Sequence, residues 1–217
     1  MSVLGRLIAR CLTAIAAGLF LASAALALFL LPPITHLFLD IAGSAHYLGV
    51  SPRDAHTLSD ALVGELLTSG GFLVPFGSGL LLDVGERAHL ADVGNLMRLV
   101  LLAGSFGAVA LLLLAWKRPA LVSHAARDGA LLISVLAASA GLAFLLAFDA
   151  TFTFFHGLVF ADGTWTFNWS TSHLIQLYPT SFWIPAALSY CAALLIGATV
   201  GVVLSRRMAR RHGAQVD

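Results

Sequence analysis

The 217-residue chain is poor in charge: 11% of its residues are Asp, Glu, Lys or Arg, against 59% that are hydrophobic, and its mean hydropathy is +0.91. A soluble domain carries about 25% charged residues, so the deficit excludes an ordinary water-soluble fold and places the chain among integral membrane proteins. Basic residues do not cluster with aromatics, which leaves nucleic acid without a footprint as a partner. Cysteine is scarce as well. Cys11 follows the basic N-terminal stretch and Cys191 falls inside an uncharged apolar run; these positions belong to different membrane depths, which argues against a disulfide. Neither cysteine sits in a CxxC pair or a metal-ligand spacing. The sequence has no G-x-S-x-G elbow, no H-E-x-x-H and no P-loop, so serine-hydrolase, zinc-protease and nucleotide chemistry all lack their usual signatures. Internal repeats and low-complexity linkers are absent too.

Long apolar stretches are what the chain has instead. Cys11–Leu31, Leu99–Trp116, Gly129–Phe148 and Ser181–Leu204 are free of charged residues, and each is close to or above the about 20 helical residues that cross a bilayer core. They predict one membrane domain over 1–217, with spans at about 11–31, 97–116, 129–148 and 181–204. Arg6 and Arg10 precede the first run, as in a secretory signal, but the run exceeds a signal's apolar core of about 7–15 residues; it reads as an uncleaved anchor. Arg6, Arg10, Lys117, Arg118, Arg127, Arg206, Arg207, Arg210 and Arg211 fall on one side of this arrangement, whereas Arg53 and Arg87 fall on the other and Arg98 at a helix mouth. The bias places both termini in the cytoplasm.

The segments 32–96 and 149–180 then lie outside the cytoplasm. In the first, Ser51-Pro52 reads as an N-cap followed by proline at the first helical position, opening a helix through Leu67 that Ser69-Gly70-Gly71 ends. Phe72–Phe76 reads as short and extended. Asp83-x-x-Glu86 resembles a capping box that opens a helix running on into the second span. In the second segment, Asp162-Gly163 is a hairpin signal between Leu158–Phe160 and Thr164–Trp169, with Trp165, Phe167 and Trp169 on one face. These aromatics also suit a belt at the membrane interface. The expected fold is an all-α membrane protein of four transmembrane helices with a small extracytoplasmic cap that contains a short helix and a β-hairpin.

Among the eight histidines, His89 and His156 stand out. His89 precedes the second span and His156 follows the third; if both helices continue past the core, each ring stands about 12 Å outside the hydrocarbon on the same side. Imidazole suits proton transfer near neutral pH. Glu86 and Asp92 lie within helical reach of His89, and either could fix its tautomer. The competing readings are a surface histidine on a polar turn for His89 and an interfacial histidine bonded to backbone for His156.

Glu86-Arg87-Ala88-His89-Leu90-Ala91-Asp92-Val93 resembles the E-x-x-H-M-x-D-V segment of the bacterial lipoprotein intramolecular transacylase (Lit) family. Phe155-His156-Gly157-Leu158-Val159-Phe160, followed by Thr164-Trp165 and Phe167, is similar to that family's F-H-x-x-F-F…W segment, and Leu174–Pro179 with Phe182-Trp183 is similar to its L-I-x-x-[FY]-P-x-x-F-[FW] run. Leu90, Gly94 and Val159 depart from the pattern. The resemblance implies a membrane acyltransferase that moves an acyl chain from the glyceryl ester of a diacylglyceryl-modified lipoprotein to the amine of its N-terminal cysteine. It implies His89 and His156 as catalytic residues; Glu86 and Asp92, by their spacing to His89, and Trp165 are expected in support, and no cofactor or metal is expected. Lipoproteins and membrane lipid are the implied partners; oligomeric state is not implied.

Such aminolysis needs an amine deprotonated, an oxyanion stabilised and an alkoxide protonated. One histidine can serve the first and last, and the second, or backbone N–H groups in the hairpin, the other. Three rivals remain on sequence grounds: a non-catalytic membrane protein that binds a lipid or a protein through its outer loops, a bis-histidine haem protein, and a metal-dependent hydrolase built on His89, Asp92, His156 and His173.

Overall fold

The computed structural model describes residues 2–213. The side chains of 208–213, those of Arg210 and Arg211 among them, lie outside the described set. Among the described residues four helices are long and apolar enough to cross a membrane: α1 (Val3–Phe29), α5 (Val84–Lys117), α6 (Pro119–Leu146) and α9 (Thr180–Gly213). Each overlaps an expected span, though α1 and α6 stop short of its far end, at Phe29 and Leu146; their other ends, and both ends of α5 and α9, extend beyond the apolar runs because helix continues into polar sequence.

Between α1 and α5 lie α2 (Pro32–Ala42), α3 (Ser44–Leu48), α4 (Pro52–Thr68), β1 (Pro75–Phe76) and β2 (Gly79–Leu80). The first span stops at Phe29, short of the expected Leu31, because a residue before proline is steered out of the helical region; Leu31 is extended, and Pro32 restarts the chain as α2. Gly43 and Gly49 end α2 and α3 in the left-handed conformation, at φ 72° and 67°. These two helices were not foreseen. α4 starts as expected, with Ser51 Oγ accepting from Asp54 N at 3.2 Å; it runs through Thr68, one residue past the expected Leu67, and is capped in the left-handed conformation at Ser69, where its end was expected. The Arg98 guanidinium reaches back to the Leu66 carbonyl near that end.

The hairpin lies elsewhere than expected. It is formed by β1 and β2, antiparallel, with Pro75 opposite Leu80 and Phe76 opposite Gly79. Asp162-Gly163 does form a turn, with Gly163 at φ 80° and Thr164 N donating to Ala161 O at 3.2 Å, but no strand flanks it. Leu158 and Val159 are instead the last turn of α7 (Phe148–Val159). The reason is periodicity: Phe148, Phe152 and His156 repeat at helical spacing and stack on one another, so the arm a strand would need is already helical. α7 is also separate from α6, broken at Ala147 (φ −150°, ψ 62°), so the third span does not run on unbroken to His156. α8 (His173–Leu177) precedes α9.

The chain divides into two compact units. One comprises residues up to 26, 100–142 and from 190 onward. Its helices approach closely through small residues: a Cβ at Gly107 would lie 2.7 Å from Ala16 O, and one at Gly129 2.5 Å from Ala14 O. Such approach is what membrane helices use in place of a hydrophobic driving force. The other comprises 27–99 and 143–189, with a core of Phe38, Leu39, Leu62, Phe72, Leu81, Leu177 and their neighbours. In it, α2 and α4 are joined by stacked His36 and His56, centroids 4.1 Å apart, each bonded at 2.8 Å to the aspartate of the other helix, His36 to Asp60 and His56 to Asp40.

Candidate active site

The site lies wholly within the second unit. Its first support is the start of α5. Asp83 Oδ1 accepts from Glu86 N, and Glu86 Oε2 accepts from Asp83 N, both at 2.8 Å: the capping box expected from sequence. The other Glu86 oxygen accepts from Ser172 Oγ and from Leu174 N at 3.0 Å. Glu86 is 2% exposed, so one buried carboxylate ties the first turn of α5 to the first turn of α8. Ser172 is itself the N-cap of α8, accepting from Ile175 N at 3.3 Å. One turn along α5 from Glu86 stands His89, 7% exposed.

The second support is α7. Phe152 stacks on His156 with centroids 3.8 Å apart, and His156 Nδ1 lies 2.8 Å from Phe152 O. A carbonyl only accepts, so Nδ1 carries the proton and the ring's lone pair is on Nε2.

These two helices bring the rings of His89 and His156 to 6.0 Å, tilted by 32°. Aromatics wall the pair. Phe160 touches both rings, at 4.9 and 5.5 Å; Phe167 lies 5.8 Å from His89 and Trp165 5.1 Å from His156. Burial disfavours the charged imidazole. It pushes His89 down to about 4, with the neighbouring His156 adding to the fall and Asp92 opposing it; His89 precedes the uncharged stretch of α5, which begins after Arg98. Burial likewise lowers His156, against the opposing effect of the Phe152 carbonyl. Both rings are therefore neutral near pH 7, the state a general base requires.

The expected residues meet with different outcomes. His89, His156 and Trp165 come together. Glu86 is close in sequence, but its oxygens are occupied by Asp83, Ser172 and Leu174, so it positions the helix rather than orienting the His89 ring. Asp92 is exposed and acts on His89 through charge alone. His89 Nδ1 and Trp165 Nε1 are buried without a hydrogen-bond partner among the described residues. His173 Nδ1 donates to Leu81 O at 2.8 Å, which makes it a structural tie. Among the described residues no group of three or more His, Cys, Asp or Glu is arranged to hold a metal, so His89, Asp92, His156 and His173 do not converge as a ligand set. Sequence reasoning missed Phe152 and Ser172. The i,i+4 repeat from Phe148 through Phe152 to His156 was a usable signal for the first; the second depends on a contact with Glu86 that no local pattern encodes. Phe152 also lines a cavity of about 200 Å³, with Asp149, Trp169, Tyr178 and Trp183.

A multi-pass membrane protein with two neutral imidazoles in an aromatic enclosure is thus the class that fold and site define. The sequence matches the model of the family described as lipoprotein intramolecular transacylase Lit over residues 68–183, a stretch that contains every site residue named above. The chain belongs to that family. Its fold is similar to the solved structure of the membrane integral lipoprotein intramolecular transacylase Lit from Bacillus cereus, at 18% identity and TM-score 0.79, covering 98% of this chain and 100% of that one. It is similar also to a histidine-to-arginine variant of that protein, at 17% identity and TM-score 0.68 over 97% and 94% of the two chains. A histidine-to-alanine variant gives 17% and 0.65, over 96% of each. Among curated protein sequences none matches the chain.

Proposed function

We propose that this protein transfers an acyl chain within a diacylated lipoprotein, from the glyceryl ester to the α-amine of the N-terminal cysteine, with His156 as the base and His89 as its partner. The observation that carries this reading is the pairing of two neutral rings 6.0 Å apart, one with its lone pair fixed on Nε2 by the Phe152 carbonyl. His156 Nε2 takes a proton from the amine as its nitrogen attacks the ester carbonyl. The N–C bond forms and the carbonyl electrons move to oxygen; collapse then breaks the bond to the glyceryl oxygen, which receives the proton back from His156. Ester and amine become amide and alcohol with no co-reactant. Because both reacting groups belong to one molecule, the protein's main task is to hold them in a reactive pose. His89 faces the ring that becomes cationic, and its own low proton affinity keeps it neutral beside that charge.

We further propose one membrane domain whose termini face the cytoplasm, with segments 32–96 and 149–180 and the histidine pair on the outer side, as the distribution of arginine and lysine supports. Esters of glycerolipids sit at that interface, so a lipoprotein anchored in the outer leaflet would present its ester beside the pair, amid membrane lipid.

The test is mass spectrometry of lipoprotein N-termini from cells that express the wild type, His156→Ala or His89→Ala. Wild type should shift one acyl chain from glycerol to amine, and His156→Ala should lose about 10²–10⁴-fold in rate at unchanged expression. Unaltered N-termini with well-expressed wild type would overturn the reading in favour of an outer-loop binding protein.

A further inference from the structure

The reaction above creates a negative oxygen, and of the two sources foreseen for its stabilisation, the second histidine and backbone N–H groups in a hairpin at Asp162-Gly163, the hairpin is not formed. We infer that the Trp165 indole N–H is the donor that receives the carbonyl oxygen of the ester as it becomes an oxyanion; the inference rests on the transacylase reading.

Three observations carry it. Trp165 packs on His156, centroids 5.1 Å apart, on the residue whose Nε2 abstracts the proton. A donor that touches the base's own ring is in the right neighbourhood for an oxygen bonded to the carbon under attack. Second, Trp165 Nε1 is buried and has no acceptor among the described residues. A buried N–H left unpaired is costly, and such groups in native proteins call for a functional explanation; an acceptor carried in by the substrate supplies one. Third, the rest of the enclosure offers little else. Phe152, Phe155, Phe160 and Phe167 bring no donor, and Ser172 and Glu86 are engaged with each other. His89 Nδ1 is likewise buried and unpartnered, so two orphaned ring nitrogens flank His156. Of the two, the indole nitrogen is always a donor and never an acceptor, which suits an oxygen gaining negative charge, while the neutral imidazole can change tautomer and suits the ring that becomes imidazolium.

In the step itself, the amine nitrogen bonds to the ester carbon, the π pair moves to the carbonyl oxygen, and the N–H of Trp165 shortens its bond to that oxygen. When the C–O bond to glycerol breaks, the pair returns and the donor relaxes to a neutral amide carbonyl. Nothing is consumed. The hydrogen bond is stronger to the charged state than to either neutral end state, so it lowers the barrier rather than tightening ground-state binding.

The experiment uses the full chain in lipid vesicles with a synthetic diacylglyceryl lipopeptide. Trp165→Phe keeps an aromatic ring and removes the donor. It should lose about 10²-fold in kcat, in line with deletion of one oxyanion donor, with KM and thermal unfolding temperature unchanged. Because the smaller ring could disturb packing, a second form with sulfur in place of the indole nitrogen keeps the shape of tryptophan and should lose the same factor. A thionoester substrate completes the cycle: it should slow the wild type, yet slow Trp165→Phe little further, because donor and acceptor act on one interaction. Equal rates in wild type and the sulfur form, or penalties that simply multiply, would overturn the assignment of Trp165. Failure of the wild type to move the acyl chain would overturn the transacylase reading itself.

Discussion

Glu86 lies in the family motif beside His89, yet its oxygens point elsewhere, and this separates two roles by experiment. Glu86→Ala removes the acceptor for Asp83 N, Ser172 Oγ and Leu174 N at once. Ser172 and Leu174 are buried, and a donor left there without a partner costs about 1–3 kcal/mol, whereas Asp83 is exposed and, because Ser172 also caps α8, the Ser172 hydroxyl retains some use. A loss of about 3 kcal/mol is expected, which for a chain of this size lowers the unfolding midpoint by roughly 6–12 °C. Glu86→Gln keeps one oxygen for Ser172 and Leu174 but turns an NH2 toward Asp83 N–H, donor against donor, for about 1–3 kcal/mol. The assay is thermal unfolding of purified protein in detergent, followed by acyl transfer well below the lowered midpoint. There Glu86→Gln should retain most of its turnover, since His89 gains no hydrogen bond from this carboxylate. An unfolding midpoint equal to wild type combined with lost turnover would refute the reasoning and restore Glu86 as the group that orients the imidazole.

The pH behaviour follows from burial. A histidine with a lowered value is neutral in the folded chain and takes up a proton only on unfolding, so it supports the fold above the ordinary value of 6.5 and loses that support as pH falls toward about 4 for His89. That loss is about 3 kcal/mol at most, measurable as a falling midpoint between pH 6.5 and 4. His156, lowered as well, should place the acid limb of kcat/KM below 6.5; a limb at or above 6.5 would contradict its neutral, buried state. In the other unit, Gly107→Ala puts a Cβ 2.7 Å from Ala16 O and should lower the midpoint by several degrees, whereas Gly201→Ala, which meets open space, should not.

How much of this was legible in the sequence depended on range. The four spans followed from uninterrupted apolarity, and the box of Asp83 with Glu86 from a three-residue spacing; both are local. The same pattern gave no sign that Glu86 also reaches Ser172 and Leu174, because that contact joins distant segments. Asp162-Gly163 was a true turn signal read with the wrong flanks: of the three aromatics that alternation grouped on one face, Trp165 and Phe167 lie against the histidines while Trp169 packs on Tyr47, and the preceding arm obeys the period of Phe148, Phe152 and His156 instead. The actual hairpin at Pro75–Leu80 carried a weaker signal, with proline in one arm and Gly77-Ser78 at its turn. Apart from the family resemblance, the histidine pair was reachable from sequence by supposing that two helices overran their spans. One does, while the other breaks at Ala147 and restarts as α7, and the rings still meet.

The lock on His156 has an evolutionary side. Its proton is held on Nδ1 by the main-chain oxygen of Phe152, an atom that every amino acid supplies, whereas a carboxylate in that office disappears with a single codon change. As long as the helix persists, drift in the surrounding side chains leaves the ring's lone pair on Nε2. A chain that departs from the family pattern at Leu90 or Val159 can therefore keep this hydrogen bond unchanged, because it is made by the backbone.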